Sequence, residues 1–170
     1  MNNNKFDEVF EIMDISFPKN EIRTYEEQKK LLNNPKYHLI IKEDENKKVV
    51  AFMAVWKLNG FDFIEHLAVH PDARGTGIGT NLIKEYLNFS EKLVVLEIEV
   101  PDIKQENTVR RKKFYEKLDF KLNDNIYYQL PLKKGNSKVE MKLMSYPKKL
   151  NDNEFKKVEK EIQKEVYPKF

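Results

Sequence analysis

A glycine-rich stretch, Ala73 to Asn81, places the strongest constraint on how this chain can fold. It lies between a strand-like run, Phe61 to Val69, and a helical pattern that begins near Leu82. Glycine allows sharp backbone turns, and the first turn of a helix carries unpaired N–H groups and the positive end of the helix dipole. This strand, turn and helix predict a site for an anionic group such as phosphate. The alternative is an ordinary glycine turn.

Two familiar phosphate motifs do not match the spacing. A Walker loop needs Lys and then Ser or Thr after its last glycine, whereas Gly79 is followed by Thr and Asn. A dinucleotide fingerprint needs two residues between its second and third glycines, and only Ile78 separates Gly77 from Gly79. The pattern that remains is Arg-x-x-Gly-x-Gly, from Arg74 to Gly79.

This pattern resembles the pyrophosphate signature of the GCN5-related N-acetyltransferase (GNAT) superfamily, which follows a strand ending in an apolar-Ala-Val run like Leu67-Ala68-Val69. A second segment, Arg110 to Phe120, resembles the Phe-Tyr-x-x-x-Gly-Phe segment that closes the same domain. Asp119 stands where the family has Gly, and Asp tolerates a left-handed turn better than most residues. The resemblance covers about Phe6 to Leu130.

Hydrophobic periodicity and turn residues predict the remaining elements. Helices are expected over about 5–16, 24–34, 77–89, 106–118 and within 151–170, and strands over 37–42, 49–58, 61–69, 93–100, 120–122, 126–130 and 139–146. Thr24 with Glu27, and Asn151 with Glu154, are expected to cap the second and the last helix.

The first three predicted strands should be antiparallel, and the fourth should follow by a helical crossover and lie parallel to the third. The predicted fold class is therefore α/β of the mixed α+β kind. It consists of a GNAT-like, mixed, mostly antiparallel central sheet with one parallel βαβ crossover, flanked by helices.

Composition limits the classes of function. The chain has 31 Lys and Arg against 28 Asp and Glu, and this near-balance, without a basic cluster interleaved with aromatic residues, argues against nucleic-acid binding. The N-terminal residues lack an apolar signal segment, and no apolar run is long enough to cross a bilayer. A soluble cytoplasmic protein without a membrane partner is expected.

Residues 1–146 are expected to form an acyl-CoA N-acyltransferase domain, and residues 147–170 a C-terminal amphipathic helix. The apolar face of that helix consists of Phe155, Val158, Ile162 and Val166. This face is expected to pack on the domain, and a homodimer contact is the alternative.

The resemblance implies acetyl-coenzyme A as the acyl donor of an N-acetyltransferase that acts on a primary amine. The chain has no Cys, which favours direct attack over an acyl-cysteine intermediate. By resemblance, the backbone of the strand end would hold the pantetheine, the glycine loop the pyrophosphate, and Asn107 would add a contact. The implied coenzyme contacts are Leu67, Ala68, Val69, Arg74, Gly75, Thr76, Gly77, Ile78, Gly79, Thr80 and Asn107. A module that senses acyl-coenzyme A without turnover is the alternative.

Three residues are candidates for the chemistry. An ammonium group has no lone pair, so a base must take its proton. Glu65 and Glu99 are the candidate bases, because each is a carboxylate in an otherwise apolar strand, and either could instead be an ion-pair partner. Tyr115 matches the family tyrosine that lies beside the coenzyme sulfur and would protonate the leaving thiolate, and a core aromatic role is its alternative.

No metal site is predicted. His66 and His70 lie four residues apart on a strand, roughly 13 Å by the rise per residue, which is too far to share an ion. Both are interpreted as ordinary polar positions. The acceptor stays open between small-molecule and peptide amines, because family members acetylate protein N-termini, lysines, polyamines, aminoglycosides and metabolites, and no residue pattern selects one.

Overall fold

The computed structural model describes Met1 and residues 3–170, and their elements follow the predicted order. The helices are α1 (Asn3–Ser16), α2 (Tyr25–Lys30), α3 (Ile78–Phe89), α4 (Glu106–Glu116) and α5 (Asp152–Glu165). The strands are β1 (Tyr37–Glu43), β2 (Val49–Lys57), β3 (Phe61–Val69), β4 (Leu93–Glu99), β5 (Lys121–Leu122), β6 (Tyr127–Gln129) and β7 (Val139–Tyr146). The second helix is shorter than predicted, because the 3₁₀ turn Leu31–Asn33 replaces its last turn.

The strands form a sheet in the order β1-β2-β3-β4-β7-β5, and β6 also pairs with β7. The sheet is mostly antiparallel and includes a parallel pair, with helices flanking it. The mixed α+β class predicted from the sequence is confirmed. Within the described part of the chain, no helix has both the length and the apolar character needed to span a membrane.

The chain divides into two compact units. Unit 1 consists of residues 1–57 and 64–89, and unit 2 of residues 58–63 and 90–170. Strand β3 therefore begins in unit 2 and ends in unit 1. The glycine loop belongs to unit 1, and the Arg110 to Phe120 segment belongs to unit 2.

In unit 1, β1 and β2 form an antiparallel hairpin in which Tyr37 lies opposite Trp56. The hairpin turn is held by Asp44, whose Oδ1 accepts hydrogen bonds of 2.9 Å from the N–H groups of Asn46 and Lys48. This short-range bonding is typical of Asp in turns. Buried apolar residues of α1 and β2 supply much of the core: Phe6, Val9, Ile12, Met13, Phe52, Met53, Val55 and Trp56.

In unit 2, β7 is the central strand and pairs antiparallel with β4, β5 and β6. Asp119 follows α4 with φ of 65°, the left-handed conformation that Asp tolerates better than most residues. Asn151 and Glu154 form the predicted capping box of α5. The four apolar residues predicted for one face of the C-terminal helix are all buried within the chain: Phe155, Val158, Ile162 and Val166.

Candidate functional site

The glycine loop connects the end of β3 to the start of α3. After Val69 the chain makes a 3₁₀ turn, Pro71–Ala73, and the exposed loop then enters the 12-residue helix α3 at Ile78. The Asn81 N–H donates to the Gly77 carbonyl at 2.9 Å. The N–H groups of the first helical turn have no partner within the helix and point out of its N-terminus. An anion can therefore bind there.

Each glycine of the loop has its own structural reason. Gly75 and Gly77 both have φ of 78°, the left-handed region that strains residues with a side chain. Gly79 has ordinary helical geometry, but a Cβ built there would lie 3.3 Å from Cγ2 of Val69. The first two glycines therefore shape the turn, and the third lets α3 begin close to the end of β3.

Side chains of the loop bond back to the backbone before it. The Arg74 Nε donates to the Val69 carbonyl at 3.1 Å, and the Thr76 hydroxyl donates to the Ala73 carbonyl at 2.6 Å. Arg74 is nevertheless exposed. Its charge therefore lies beside the loop, where it can add to the attraction of an anion.

A buried ion pair involves the middle of β3. Arg23 Nη1 lies 2.7 Å from Glu65 Oε1, and the two side chains are only 6% and 5% exposed. The indole N–H of Trp56 donates to the other Glu65 oxygen at 2.8 Å. Because both carboxylate oxygens have donors, the contacts of Glu65 match the ion-pair alternative.

The charge of Glu65 is maintained by these contacts. Burial alone would raise the pKa of its carboxyl group, but Arg23, His66 and the hydrogen bond from Trp56 outweigh burial and hold the pKa below its usual value. Glu65 is therefore ionised at neutral pH. Its negative charge, after burial itself, raises the pKa of the neighbouring Tyr37 hydroxyl.

His66 is buried, with 5% exposure, so its environment is more constrained than an ordinary polar position. Its Nε2 lies 3.1 Å from the Glu21 carbonyl oxygen, and its ring packs edge-on against Phe17 with centres 4.7 Å apart. A carbonyl only accepts, so the proton of the neutral ring is assigned to Nε2. Nδ1 has no hydrogen-bond partner among the described residues. Burial lowers the pKa of His66, so the ring is neutral at pH 7.

Tyr115 lies on α4 in unit 2 and is 9% exposed. Its ring contacts the rings of Phe114 and Phe120 edge-on, at centre distances of 5.1 and 5.7 Å. Burial raises the pKa of its hydroxyl to about 12, with a smaller opposing effect of Arg111 and a smaller raising effect of Glu99. The hydroxyl is therefore protonated at neutral pH and can donate a proton.

Glu99 is the last residue of β4, and its side chain is 35% exposed. Its Oε1 lies 2.5 Å from Arg111 Nη1. Its Oε2 is buried and has no hydrogen-bond partner in the described part of the chain. One oxygen of Glu99 can therefore still accept a proton or a hydrogen bond. Asn107, at the start of α4, is exposed.

In unit 2, Glu97 is a further strand carboxylate that accepts several hydrogen bonds, and this cluster was not predicted from the sequence. The Tyr167 hydroxyl lies 2.7 and 2.9 Å from the two oxygens of Glu97, and Gln129 Nε2 donates to Glu97 at 2.9 Å. The Tyr127 hydroxyl also donates to Glu97. The signal available in the sequence is a charged residue in an apolar strand, which Glu97 shares with Glu65 and Glu99.

The predicted site residues fall into two groups. Unit 1 contains the strand end Leu67 to Val69, the glycine loop and Glu65, and unit 2 contains Glu99, Asn107 and Tyr115. Among Met1 and residues 3–170, no group of three or more His, Cys, Asp or Glu side chains could hold a metal ion.

Residues 35–122 match the family described as "Acetyltransferase (GNAT) domain". This match covers the hairpin of unit 1, the glycine loop and the segment that contains Tyr115. It therefore includes both motifs on which the resemblance in sequence depends.

Two relatives are similar over most of the chain. "Putative acetyltransferase YjbC" of Bacillus subtilis (strain 168) is 29% identical over 140 residues, which cover 81% of this chain and 69% of that protein. The solved structure of a "Putative acetyltransferase from GNAT family" from Bacteroides thetaiotaomicron is 26% identical, covers 96% of this chain and 92% of its own, and has a TM-score of 0.88.

More distant structures share the fold. A chimera of the spermidine N-acetyltransferase SpeG from Vibrio cholerae and hSSAT has a TM-score of 0.64 at 15% identity and covers 85% of this chain and 92% of its own. The ribosomal-protein-S18-alanine N-acetyltransferase from Escherichia coli also has a TM-score of 0.64 at 15% identity, covering 89% of this chain and 92% of its own.

Proposed function

Because this chain belongs to the GNAT superfamily and is an acetyl-CoA-dependent N-acyltransferase, we propose that it transfers acetyl to a primary amine by direct nucleophilic attack in a ternary complex. The observation that carries the proposal is the glycine loop, with Gly75 and Gly77 in the left-handed conformation and the N-terminus of α3 behind them. Acetyl-CoA supplies an acyl group already activated as a thioester.

The glycine loop suits the pyrophosphate of the coenzyme. A Cβ at Gly75 or Gly77 would meet no atom within 4 Å, so the loop backbone is open for a ligand to approach. The backbone N–H groups from Arg74 to Thr80 would hold the phosphates, and the backbone of Leu67, Ala68 and Val69 would hold the pantetheine as an added strand does. Asn107 is proposed as a further contact.

Direct attack is proposed because the chain has no Cys to carry the acetyl group. An amine is mostly ammonium at pH 7, so it must first lose a proton. The neutral nitrogen then attacks the thioester carbonyl carbon, an N–C bond forms, and the C–S bond breaks. The sulfur leaves as thiolate and takes up a proton.

We assign protonation of the thiolate to Tyr115. A phenol with a pKa near 12 is fully protonated at neutral pH, and its proton can pass to a thiolate while the amine proton replaces it. Burial among Phe114 and Phe120 holds the ring in place, so the hydroxyl does not have to search for its orientation.

The two strand carboxylates, Glu99 and Glu65, are proposed as candidate bases. Glu99 has a buried oxygen that accepts no hydrogen bond from the described residues, which suits a proton acceptor. Glu65 is more deeply buried, but both of its oxygens accept hydrogen bonds. The variants Glu99→Gln and Glu65→Gln separate the two, since each keeps the shape of the side chain and removes its charge.

The acceptor is proposed to be a small-molecule or peptide amine. The fold neighbours named above act on spermidine and on the alanine of a ribosomal protein, so spermidine and an alanine-starting peptide are suitable first probes. Residues 1–146 are proposed as the catalytic domain. A second copy of the chain is a further candidate partner, although the apolar face of α5 is already buried within one chain.

Initial-rate kinetics test the proposed route. Thiol release from acetyl-CoA is measured while the concentrations of acetyl-CoA and of the amine are both varied. A ternary complex predicts double-reciprocal lines that intersect. Parallel lines would indicate an acyl-enzyme and would contradict direct attack, and no amine-dependent thiol release with any probe would contradict the proposed activity itself.

A further inference from the structure

The buried imidazole of His66 has an acceptor nitrogen, Nδ1, that no hydrogen bond from the described residues uses. The reaction proposed above assigns no role to His66. Its Nε2 is engaged by the Glu21 carbonyl at 3.1 Å, while its Nδ1 is buried with no hydrogen-bond partner among the described residues. Buried polar atoms in native proteins nearly always have a partner. A donor from outside the chain, such as a water molecule or a ligand N–H, would satisfy Nδ1.

The position of His66 on β3 connects it to the reacting end of the coenzyme. His66 lies three residues before Val69, roughly 10 Å along the strand by the rise per residue. This step rests on the proposed function. If the pyrophosphate binds at the glycine loop and the pantetheine follows the backbone from Val69 to Leu67, the thioester lies toward residue 66.

We propose that Nδ1 of His66 accepts the proton of the acceptor ammonium, directly or through one water molecule. The ammonium N–H bond breaks, its electron pair stays on nitrogen, and an Nδ1–H bond forms. The freed lone pair forms the N–C bond and the C–S bond breaks, as above. The second proton of the amine replaces the proton that Tyr115 gives to the thiolate. His66 then releases its proton to solvent, so one proton is released per acetyl group transferred.

The surroundings of His66 suit a group that is neutral before the reaction and charged after it. Glu65 Oε2 lies 3.9 Å from Nδ1, so its negative charge stabilises the imidazolium once it forms. Arg23 opposes that charge, but it is paired with Glu65. The Glu21 carbonyl accepts from Nε2 in both protonation states, and the Phe17 ring restricts the orientation of the imidazole.

This arrangement assigns Glu65 a supporting role. Its two oxygens already accept from Arg23 and Trp56, so it is poorly placed to take a proton itself. Its charge can still act on the adjacent ring. Glu99 in unit 2 is the competing base, and the experiment has to distinguish it from His66.

The test compares His66→Gln with His70→Gln and Glu99→Gln. Glutamine keeps an N–H donor for the Glu21 carbonyl and cannot accept the proton. His70 is a matched control because it lies four residues further on, is more exposed, and its Nδ1 accepts the Asp72 N–H at 3.2 Å. The readouts are acetyl-CoA affinity by calorimetry and the pH profile of turnover, with the better of spermidine and an alanine-starting peptide as acceptor.

For His66→Gln we expect unchanged acetyl-CoA affinity and turnover lowered about 100-fold or more at pH 7. This loss of turnover should become about tenfold smaller for each unit by which the pH rises toward the pKa of the acceptor amine. The fraction of free amine grows with pH, and free amine needs no base. His70→Gln should keep the wild-type profile. A wild-type profile for His66→Gln, or this loss in Glu99→Gln alone, overturns the inference. Absence of turnover in the wild-type protein overturns the proposed function and the inference with it.

If His66→Gln does not fold, nitrogen NMR of the wild-type protein tests the proposal instead. The imidazole of His66 should carry its proton on Nε2. Adding coenzyme A together with the acceptor amine should shift its Nδ1 resonance, because Nδ1 gains a donor, and should leave His70 unchanged. A proton on Nδ1 of the free protein, or no shift on adding both ligands, contradicts the assignment.

Discussion

Tyr115 combines two properties at the scale of a single residue: a deeply buried ring and a hydroxyl that stays protonated. The variant Tyr115→Phe keeps the ring contacts with Phe114 and Phe120 and removes only the donor. Turnover should fall about 100-fold, the low end for loss of a general acid, while the Kd for acetyl-CoA changes little. Stopped-flow thiol release and calorimetry measure the two quantities.

Tyr146→Phe is the matched control for Tyr115→Phe. Tyr146 also packs against Phe120, with ring centres 5.6 Å apart, but no role is assigned to its hydroxyl. Its loss should leave turnover within a factor of two of wild type. Equal turnover of Tyr115→Phe and Tyr146→Phe would remove the acid role of Tyr115.

Arg23 is predicted to matter for stability through the charge of Glu65. In Arg23→Met the buried carboxylate loses its cation, which should lower the free energy of unfolding by about 3–5 kcal/mol at pH 7. Urea denaturation followed by the fluorescence of Trp56 measures this loss. Lys19→Met, which removes a cation with a side chain 70% exposed, should change stability by less than about 1 kcal/mol.

The pH dependence of this loss has a definite sign. In the wild-type protein the pKa of Glu65 lies below its usual 4.5, so its stabilising effect is present above pH 4.5 and is lost as the pH falls further. Without Arg23, burial dominates and raises the pKa of Glu65. Protonation of its carboxyl group then stabilises the folded variant as the pH falls. The difference in the free energy of unfolding between Arg23→Met and wild type should therefore be smaller at pH 5 than at pH 7. A difference that becomes larger as the pH falls would contradict this explanation of the Arg23–Glu65 pair.

Residue roles were predictable where they depend on local pattern. The sequence indicates a special role for Glu65, because a carboxylate in an apolar strand needs a partner. Its partner Arg23 could not be predicted, because the two are 42 residues apart and Arg23 lies in the irregular connection between α1 and α2. The environment of His66 was missed for the same reason, since Glu21 and Phe17 reach it from that connection.

At the scale of elements, the glycine loop is the segment most directly linked to coenzyme binding. Gly77→Glu should weaken acetyl-CoA binding by at least 100-fold, because it places a charge and a side chain beside the proposed phosphates. It also strains the backbone, since Gly77 has φ of 78°. A calorimetric titration gives the Kd, and circular dichroism checks the fold.

Gly135→Glu is the control with matched backbone strain. Gly135 has φ of 89°, and a Cβ there would meet no atom within 4 Å, as at Gly77. It lies in the turn before β7, in unit 2, outside the loop. Its affinity for acetyl-CoA should equal that of wild type. Equal affinities of the two variants would contradict the loop assignment.

Local signals predicted the elements well. Strands β3 and β7 have the predicted bounds, because each run of β-branched, aromatic and other apolar residues ends at a clear turn or proline. Both capping boxes are present, at Thr24 and at Asn151. The short strand β6 is shorter than predicted, because its length depends on pairing with β7 rather than on its own residues.

At the scale of the whole molecule, Glu97 connects parts of the chain that are far apart in sequence. It bonds to Tyr167, 70 residues later, and so ties the C-terminal segment to β4. No local pattern predicts such a contact. Tyr167→Phe should lower the free energy of unfolding by about 1.5–3 kcal/mol, the cost typical of a hydrogen bond to a charged group, and speed hydrogen exchange in α5.

Urea denaturation and hydrogen exchange measure these effects of Tyr167→Phe. Tyr128→Phe serves as control, because Tyr128 is half-buried on β6 and has a cation, Lys138, over its ring. It should leave both quantities near wild type. Exchange in α5 that does not change in Tyr167→Phe would show that the helix is held without Glu97.

The central claim is that the glycine loop binds acetyl-CoA for transfer of its acetyl group to an amine. Isothermal titration of the purified protein with acetyl-CoA tests it most directly, with dephospho-coenzyme A and NADH as controls and a subsequent addition of amine. We predict tight binding of acetyl-CoA, no binding of NADH, and release of free thiol only when amine is added. No binding of acetyl-CoA would contradict the loop assignment, and binding without thiol release for any amine would contradict transfer.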